Sequence, residues 1–473
     1  VIPVPDFSGR AVALLGLDAR GLAAARALAA GGARVMAWDE RADARSKAES
    51  LGVETADLRE RDWGDIAALV VSPECVATAS KASGRGVLDL ASLTRTPIMA
   101  DAELFARARA AFPERSRGRI VAITGARGKS STAALIGHVL KSAGRDPLVS
   151  GGAGKPVLDL ASPHPGAIYV LELAAVDVEL SPSLKPKIAA LLNAEDALDR
   201  GLDPDGETGA LGRIFARQTS ADHAVVGVDD AYGRAIATEI RARDGGPAPT
   251  PVSASRALGR GVHAVGGVLF DAIDGRAYEA LDLRRARALP GRHSWLNAAA
   301  AYAVCRLLGL EPAAIAGGIA SFPGAPHRLE EVGTQGPVRF VNDSMANDPA
   351  AARQALATFE NIYWIAGGRL GGASLAGLAA LMPRVAKAYL IGEAAETIAA
   401  ALKGRVVAAI CRDLETAVAR AAADAAASKQ ADPVVLLSPA CAAADRFPDA
   451  EVRGDMFRAL VHALPGASHG EAA

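Results

Sequence analysis

The stretch Ile123-Thr124-Gly125-Ala126-Arg127-Gly128-Lys129-Ser130 carries the residue types that handle a phosphate. Glycines let backbone N–H groups approach phosphate oxygens, a lysine at this place reaches the outer phosphates, and the serine hydroxyl suits a bound Mg²⁺. The loop is a shorter variant of the common phosphate-binding pattern, because Ile123 stands where that pattern has its first glycine. A plain turn before a helix is the alternative for residues 125–130 taken alone. A second glycine-bounded turn, Gly16-Leu17-Asp18-Ala19-Arg20-Gly21, lies near the start of the chain, and the strand after it ends at Asp39. This is the order of a dinucleotide-binding unit, but Asp18 replaces the middle glycine, and an acid there crowds and repels a phosphate. A βαβ unit without a nucleotide fits this turn equally well.

The elements that must position these loops follow from the hydrophobic pattern. Short apolar runs bounded by turn residues predict strands at 11–15, 34–38, 119–124, 167–173, 188–193, 224–228, 338–341, 363–366, 388–391 and 434–437. Helices are expected from after the Gly16–Gly21 turn to about Ala30, and over 104–111, 131–143 and 294–308. The strip Gly245-Gly246-Pro247-Ala248-Pro249-Thr250-Pro251 reads as a loop. Strand and helix alternate throughout, which predicts an α/β chain of largely parallel sheets covered by helices. No repeat of 20–50 residues is visible.

At 473 residues the chain calls for two or three domains. With 52 basic and 53 acidic residues the net charge is -1, so no global field attracts nucleic acid or an anionic membrane. No apolar run reaches the length of a membrane span, and Val1-Ile2-Pro3-Val4-Pro5-Asp6 lacks the regions of a secretory signal. Cys75, Cys305, Cys411 and Cys441 are scattered, without a CxxC pair. The expectation is a cytoplasmic protein with no nucleic-acid partner, no membrane insertion and no Cys/His metal cluster.

Taken together, the motifs resemble the Mur ligases, and within them the branch that adds D-glutamate. The resemblance runs over nearly the whole chain. It rests on the 125–130 loop, on Leu289-Pro290-Gly291-Arg292-His293 with Asn297, and on Pro326-His327-Arg328-Leu329-Glu330. It continues through Phe340-Val341-Asn342-Asp343-Ser344, Ile365-Ala366-Gly367-Gly368, Leu437-Ser438-Pro439-Ala440-Cys441 and Arg453-Gly454-Asp455.

That resemblance implies three domains: a Rossmann-like one over 1–113 for a UDP-linked muramoyl substrate, a P-loop-type ATP-binding one over 114–323, and a Rossmann-like one over 324–473 for the incoming amino acid. It implies an ATP- and Mg²⁺-dependent ligase of peptidoglycan precursor synthesis, in which a substrate carboxylate becomes an acyl phosphate and an amine then forms the amide. Two anions meet in the first step, so lysine, Mg²⁺ and helix N-termini are needed to offset repulsion. Residue by residue, the resemblance assigns Gly125, Gly128 and Lys129 to the phosphates and Ser130 and Glu172 to Mg²⁺. It assigns Asn297 to the adenine, and Arg328 and Asp343 to further ATP contacts. Lys129, Glu172 and Asp343 are the residues it makes catalytic. A monomer is expected.

Other positions depart from the family pattern. Ala126 and Arg127 replace a threonine and an asparagine, and Ala174 and Ala175 replace serines. Ala197 stands in place of a Mg²⁺-binding histidine, and Leu211 in place of a lysine that carries a bridging carbamate. The substrate loop reads Gly151-Gly152-Ala153-Gly154-Lys155. In the amino-acid pocket, Met345, Gly371, Ala443 and Ala450 replace lysine, lysine, serine and an aromatic residue. Removing the charged partner of a buried carboxylate costs about 3–5 kcal/mol, and an ordinary lost hydrogen bond about 1 kcal/mol. Two expectations follow: a D-glutamate-adding ligase working with altered contacts, or a catalytically impaired paralogue that keeps nucleotide binding as an interaction module. A ligase for a different amino acid or acceptor is a third.

Overall fold

The computed structural model describes the chain except residues 74, 76–83, 152–154, 195–206, 287 and 469–473. The Asp196–Gly201 stretch with Ala197, and Gly152, Ala153 and Gly154 of the substrate loop, therefore lie outside the described residues. Among the described residues the strands form three sheets, one within each of the three expected segments. No described helix is long and apolar enough to cross a membrane.

The first sheet uses β1 (Ala11–Leu15), β2 (Arg34–Trp38), β3 (Ile66–Val71) and β4 (Ile98–Met99). Its order is β2-β1-β3-β4, with every pair parallel. Asp18 caps the helix Ala19–Ala30, its Oδ1 accepting from Gly21 N at 2.9 Å while Oδ2 takes the Ser72 hydroxyl. A side-chain carboxylate of the chain itself thus occupies donors at this helix start, consistent with the substitution of the middle glycine.

The second sheet contains β5 (Arg119–Thr124), β6 (Asp146–Ser150), β7 (Ala167–Glu172), β8 (Ile188–Leu191) and β9 (His223–Gly227). It is extended by β10 (Pro249–Ser253), β11 (Gly261–Val265), β12 (Val268–Ala272) and β13 (Tyr278–Asp282). The order is β13-β12-β11-β10-β9-β8-β5-β7-β6, parallel except for the β11–β12–β13 meander. Strand β10 corrects the expected loop at 245–251. Val228 N donates to Val252 O, so Val252 faces β9, and Pro249 and Pro251 face the opposite side, where pairing with β11 begins only at Val252. A proline without an N–H is harmless where no ladder partner waits for it.

The third sheet uses β14 (Glu330–Gln335), β15 (Val338–Asn342), β16 (Ile362–Gly367), β17 (Val385–Ile391), β18 (Ala408–Ile410) and β19 (Val434–Leu437). Its order is β14-β15-β19-β16-β17-β18, parallel apart from the β14–β15 hairpin. The sheet is buried on both sides, and the period-2 alternation of a strand divides its side chains between two cores. Ile362, Trp364, Ala366, Leu390 and Leu436 enter one core, and Tyr363, Ile365, Tyr389, Ile391 and Leu437 the other. Each large side chain so buried contributes about 1.5–3 kcal/mol.

The chain divides into two compact units. One comprises Val1–Leu283 with Ser294–Ala320, and the other Arg284–His293 with Ser321–Ala473.

Candidate functional site

In the first unit, β5 runs into the glycine loop and then into the helix Lys129–Ser142. Gly125 (φ 141°) and Gly128 (φ 85°) have positive φ. Gly128 is the left-handed cap of the helix, and a Cβ there would collide with Asn297 Oδ1. Only glycine permits both that backbone and that neighbour. The loop is held from the adjacent strand: Asn193, just beyond β8, accepts Ala126 N on its backbone oxygen (2.9 Å) and Arg127 N on Oδ1 (3.0 Å). Its Nδ2 returns a bond to Arg127 O at 3.1 Å. The sequence pattern places Asn193 at a strand end and gives it no role. No local motif marks it, since the contact depends on β5 and β8 being neighbours.

Lys129 folds across its own loop, with Nζ donating to Gly125 O at 2.8 Å and Ala126 O at 3.4 Å. Ser130 follows β5 and Glu172 ends β7, and the parallel pairing of those strands sets Ile123 opposite Glu172. Ser130 Oγ consequently donates to Glu172 Oε1 at 2.7 Å, although the two residues are 42 apart in sequence. Gly125, Gly128, Lys129, Ser130, Glu172 and Asn297 all belong to this unit.

These groups fit the nucleotide and the cation that the sequence implies. A glycine loop leads into a helix N-terminus, a lysine folds across that loop, and a hydroxyl and a carboxylate lie within hydrogen-bond distance of each other. Mg²⁺ keeps several waters and takes one or two protein oxygens besides phosphate. The Ser130–Glu172 pair matches that donor set. Among the described residues no group of three or more His, Cys, Asp and Glu could enclose a metal.

Leu211, by contrast, is 3% exposed and lies in the apolar core of this unit with Ala210, Ile214 and Phe215.

In the second unit, Asp343 and Ser438 directly follow β15 and β19, whose register pairs Asn342 with Leu437. Ser438 Oγ donates to Asp343 Oδ2 at 2.8 Å, and Leu329 N to Oδ1 at 3.3 Å. Burial pushes the Asp343 carboxyl up to about 7, against the lowering pull of those two donors and of the Arg328 charge. Arg328 sits between two residues in the left-handed region, His327 (φ 59°) and Leu329 (φ 50°). For non-glycine residues this costs about 1–3 kcal/mol each and is retained where surrounding contacts enforce it. Here Met345 N donates to His327 O at 3.1 Å, and Asn342 Nδ2 lies 3.0 Å from His327 Nδ1. Arg328 and Asp343 are thus brought together within this unit.

Arg453, legible in the sequence only as part of a motif, ties three of the segments together. Its buried guanidinium donates to Ser344 Oγ (3.0 Å), Ser344 O (2.7 Å), Cys441 O (3.1 Å) and Asn347 Oδ1 (3.0 Å). Burial among neutral acceptors lowers it to about 10. Of the substituted pocket positions, Ala443 and Ala450 are buried, whereas Gly371 (φ 62°) has nothing within 4 Å of where a Cβ would stand.

Residues 327–441 match the family model described as "Mur ligase, glutamate ligase domain". The chain is 49% identical over 465 residues to a UDP-N-acetylmuramoylalanine–D-glutamate ligase of Caulobacter sp. (strain K31), covering 98% of each chain. It is 42% identical over 468 residues to the protein of the same name from Brucella abortus (strain 2308), again at 98% of each. Among solved structures it is similar to UDP-N-acetylmuramate–alanine ligase MurC of Thermotoga maritima, with a TM-score of 0.57 and 18% identity over 95% of this chain and 98% of that one. MurF of Acinetobacter baumannii gives 0.58 and 17%, over 94% and 93%. At those identities the solved structures speak for the fold alone.

Proposed function

The chain belongs to the Mur ligase family, and on that premise we propose that it is an ATP-dependent ligase joining D-glutamate to UDP-N-acetylmuramoyl-L-alanine through an acyl phosphate. The observation that carries this reading is the Ser130–Glu172 pair at 2.7 Å beside the Gly128 cap. It supports a nucleotide loop that is complete in its backbone, its lysine and its two cation ligands. The near-full-length identity to ligases of that name supports the substrate assignment. The same reading carries a division into three domains, 1–113, 114–323 and 324–473.

In this reading Gly125 and Gly128 present backbone N–H groups to the phosphates, and Lys129 exchanges its bond to Gly125 O for a phosphate oxygen. Ser130 and Glu172 hold Mg²⁺, which when bound neutralises charge between the phosphate chain and the attacking carboxylate. Asn297 positions the adenine, and Arg328 and Asp343 supply the contacts of the C-terminal part.

A second reading, a nucleotide-binding paralogue with impaired catalysis, is favoured by Leu211. Where the family has a carbamate-bearing lysine, this chain has a leucine integrated into the core, and it offers no charge to a second cation. Phosphate release measured with ATP, Mg²⁺, UDP-N-acetylmuramoyl-L-alanine and D-glutamate separates the two. Release that requires both the nucleotide-sugar substrate and D-glutamate establishes the ligase. ATP binding without release establishes the paralogue.

A further inference from the structure

We propose that the second unit contains a binding site for a small amphipathic carboxylate, in the cavity between the 3-10 segment Ala376–Arg384 and the helix Ala395–Leu402. The cavity measures about 420 Å³, at the small end of the roughly 300–1,000 Å³ that small-molecule sites occupy. It opens at the surface beside the core on one face of the third sheet. Leu378, Met382, Ile398 and Leu402, all buried, form its apolar wall together with Trp364. Trp364 Nε1 already donates to Ser438 O at 2.8 Å, so the indole offers a guest no free donor.

Polar groups in the lining are few. Ser374 and Thr397 bring hydroxyls, and Arg405 brings a cation. Arg405 is exposed at the end of the lining, and its guanidinium has no ion pair or side-chain hydrogen bond among the described residues. A hydrocarbon-lined cavity with one uncommitted guanidinium complements a molecule with an apolar body and a single carboxylate at one end. A bare hydrocarbon leaves the cation unused, and a dianion brings a charge for which the lining has no partner. The segment from Gly368 to Leu375 borders the cavity through Leu370, Ala373 and Ser374. It contains Gly371 and Gly372, both at positive φ with open space around them, so it has room to adjust around a guest.

This proposal does not rest on the ligase reading, because binding is measured without turnover. The probe is octanoate, with 1-octanol as its uncharged counterpart. The five methionines are Met36, Met99, Met345, Met382 and Met456, and ¹³C-methyl labelling reports on each, with Met382→Leu assigning the Met382 signal. The expected result is a saturable shift of Met382 at or below roughly 1 mM octanoate, with Met36 and Met99 unmoved. Arg405→Gln, an exposed substitution that leaves the core intact, should weaken octanoate by roughly fivefold and leave octanol unchanged. Ala379→Phe, which fills the cavity, should abolish the shift while the methyl spectrum stays that of a folded protein. An unmoved Met382 signal overturns the site. Equal response of octanoate and octanol to Arg405→Gln overturns the assignment of a carboxylate.

Discussion

Gly128 and Asn297 exclude any side chain between them: a Cβ at Gly128 would collide with Asn297 Oδ1, and the backbone there is left-handed at φ 85°. Two separable penalties therefore attach to Gly128→Ala. The left-handed conformation costs an alanine about 1–2 kcal/mol, and the collision adds to it. Adding Asn297→Ala should relieve the collision and leave the backbone penalty. Denaturant unfolding of the two single variants and the double variant gives the coupling. If the pair proves additive, the two residues are not in contact.

Lys129→Ala removes a cationic contact and should weaken ATP binding by roughly 1.5–3 kcal/mol, with little change in melting temperature. Glu172→Gln should behave differently, because it alters a proposed cation ligand. It should abolish the gain in ATP affinity that Mg²⁺ confers while sparing Mg²⁺-free binding. Calorimetry with and without Mg²⁺ reads both. A Glu172→Gln protein with undiminished Mg²⁺ enhancement would remove Glu172 from the cation site.

Asp343 gives a pH dependence with a definite sign. Its carboxyl is raised by burial from 3.8 to about 7. Between those values the folded state retains a proton that the unfolded chain has released. The stability contributed by this group is therefore complete below pH about 4 and is lost as the pH rises through about 7. Asp343→Asn keeps an acceptor for Leu329 N, and the Ser438 hydroxyl can turn to accept instead of donate. Melting curves across that range should be flatter for Asp343→Asn than for the unmutated protein, and the variant should be the more stable above pH 7. A parallel pair of curves would show that Asp343 titrates at its ordinary value.

Leu211→Lys alone should lower stability and bring no catalytic gain. The site is apolar and 3% exposed, so an ammonium there is desolvated without a partner, at a cost of several kcal/mol. On the family assignment of these positions, the combined variant Ala197→His, Leu211→Lys, Gly371→Lys, Ala443→Ser is the one in which ligation should rise, since it alters the proposed cation site and the proposed amino-acid clamp together. Ligation by the unmutated protein at the combined variant's rate would show that other residues have taken over these roles.

Much of this architecture is legible in the residues, for reasons that are local. Runs such as Arg119–Thr124 and Val434–Leu437 are apolar, short and bounded by turn formers, and they are strands with those limits. The 125–130 loop announces itself through glycine, lysine and serine in fixed order. What escapes depends on neighbours distant in sequence. Strand β10 reads as a loop because Pro249 and Pro251 are common there, and only the one-sided pairing makes them acceptable. Asn193 has no signature of its own, and Arg453 shows its buried contacts only once three segments have converged. The roles proposed for Asn297 and Glu172 come from resemblance to a family, not from any local pattern.

The grip of Asn193 on both Ala126 and Arg127 has a thermodynamic consequence. A phosphate loop that is disordered before its ligand arrives gives up conformational freedom on binding, and each residue so fixed takes about 1–2 kcal/mol from the affinity. Here the two residues between the glycines are already fastened to the neighbouring strand. The entropy of ordering this loop was spent when the chain folded, and a nucleotide bound there as proposed keeps that part of its interaction energy as affinity.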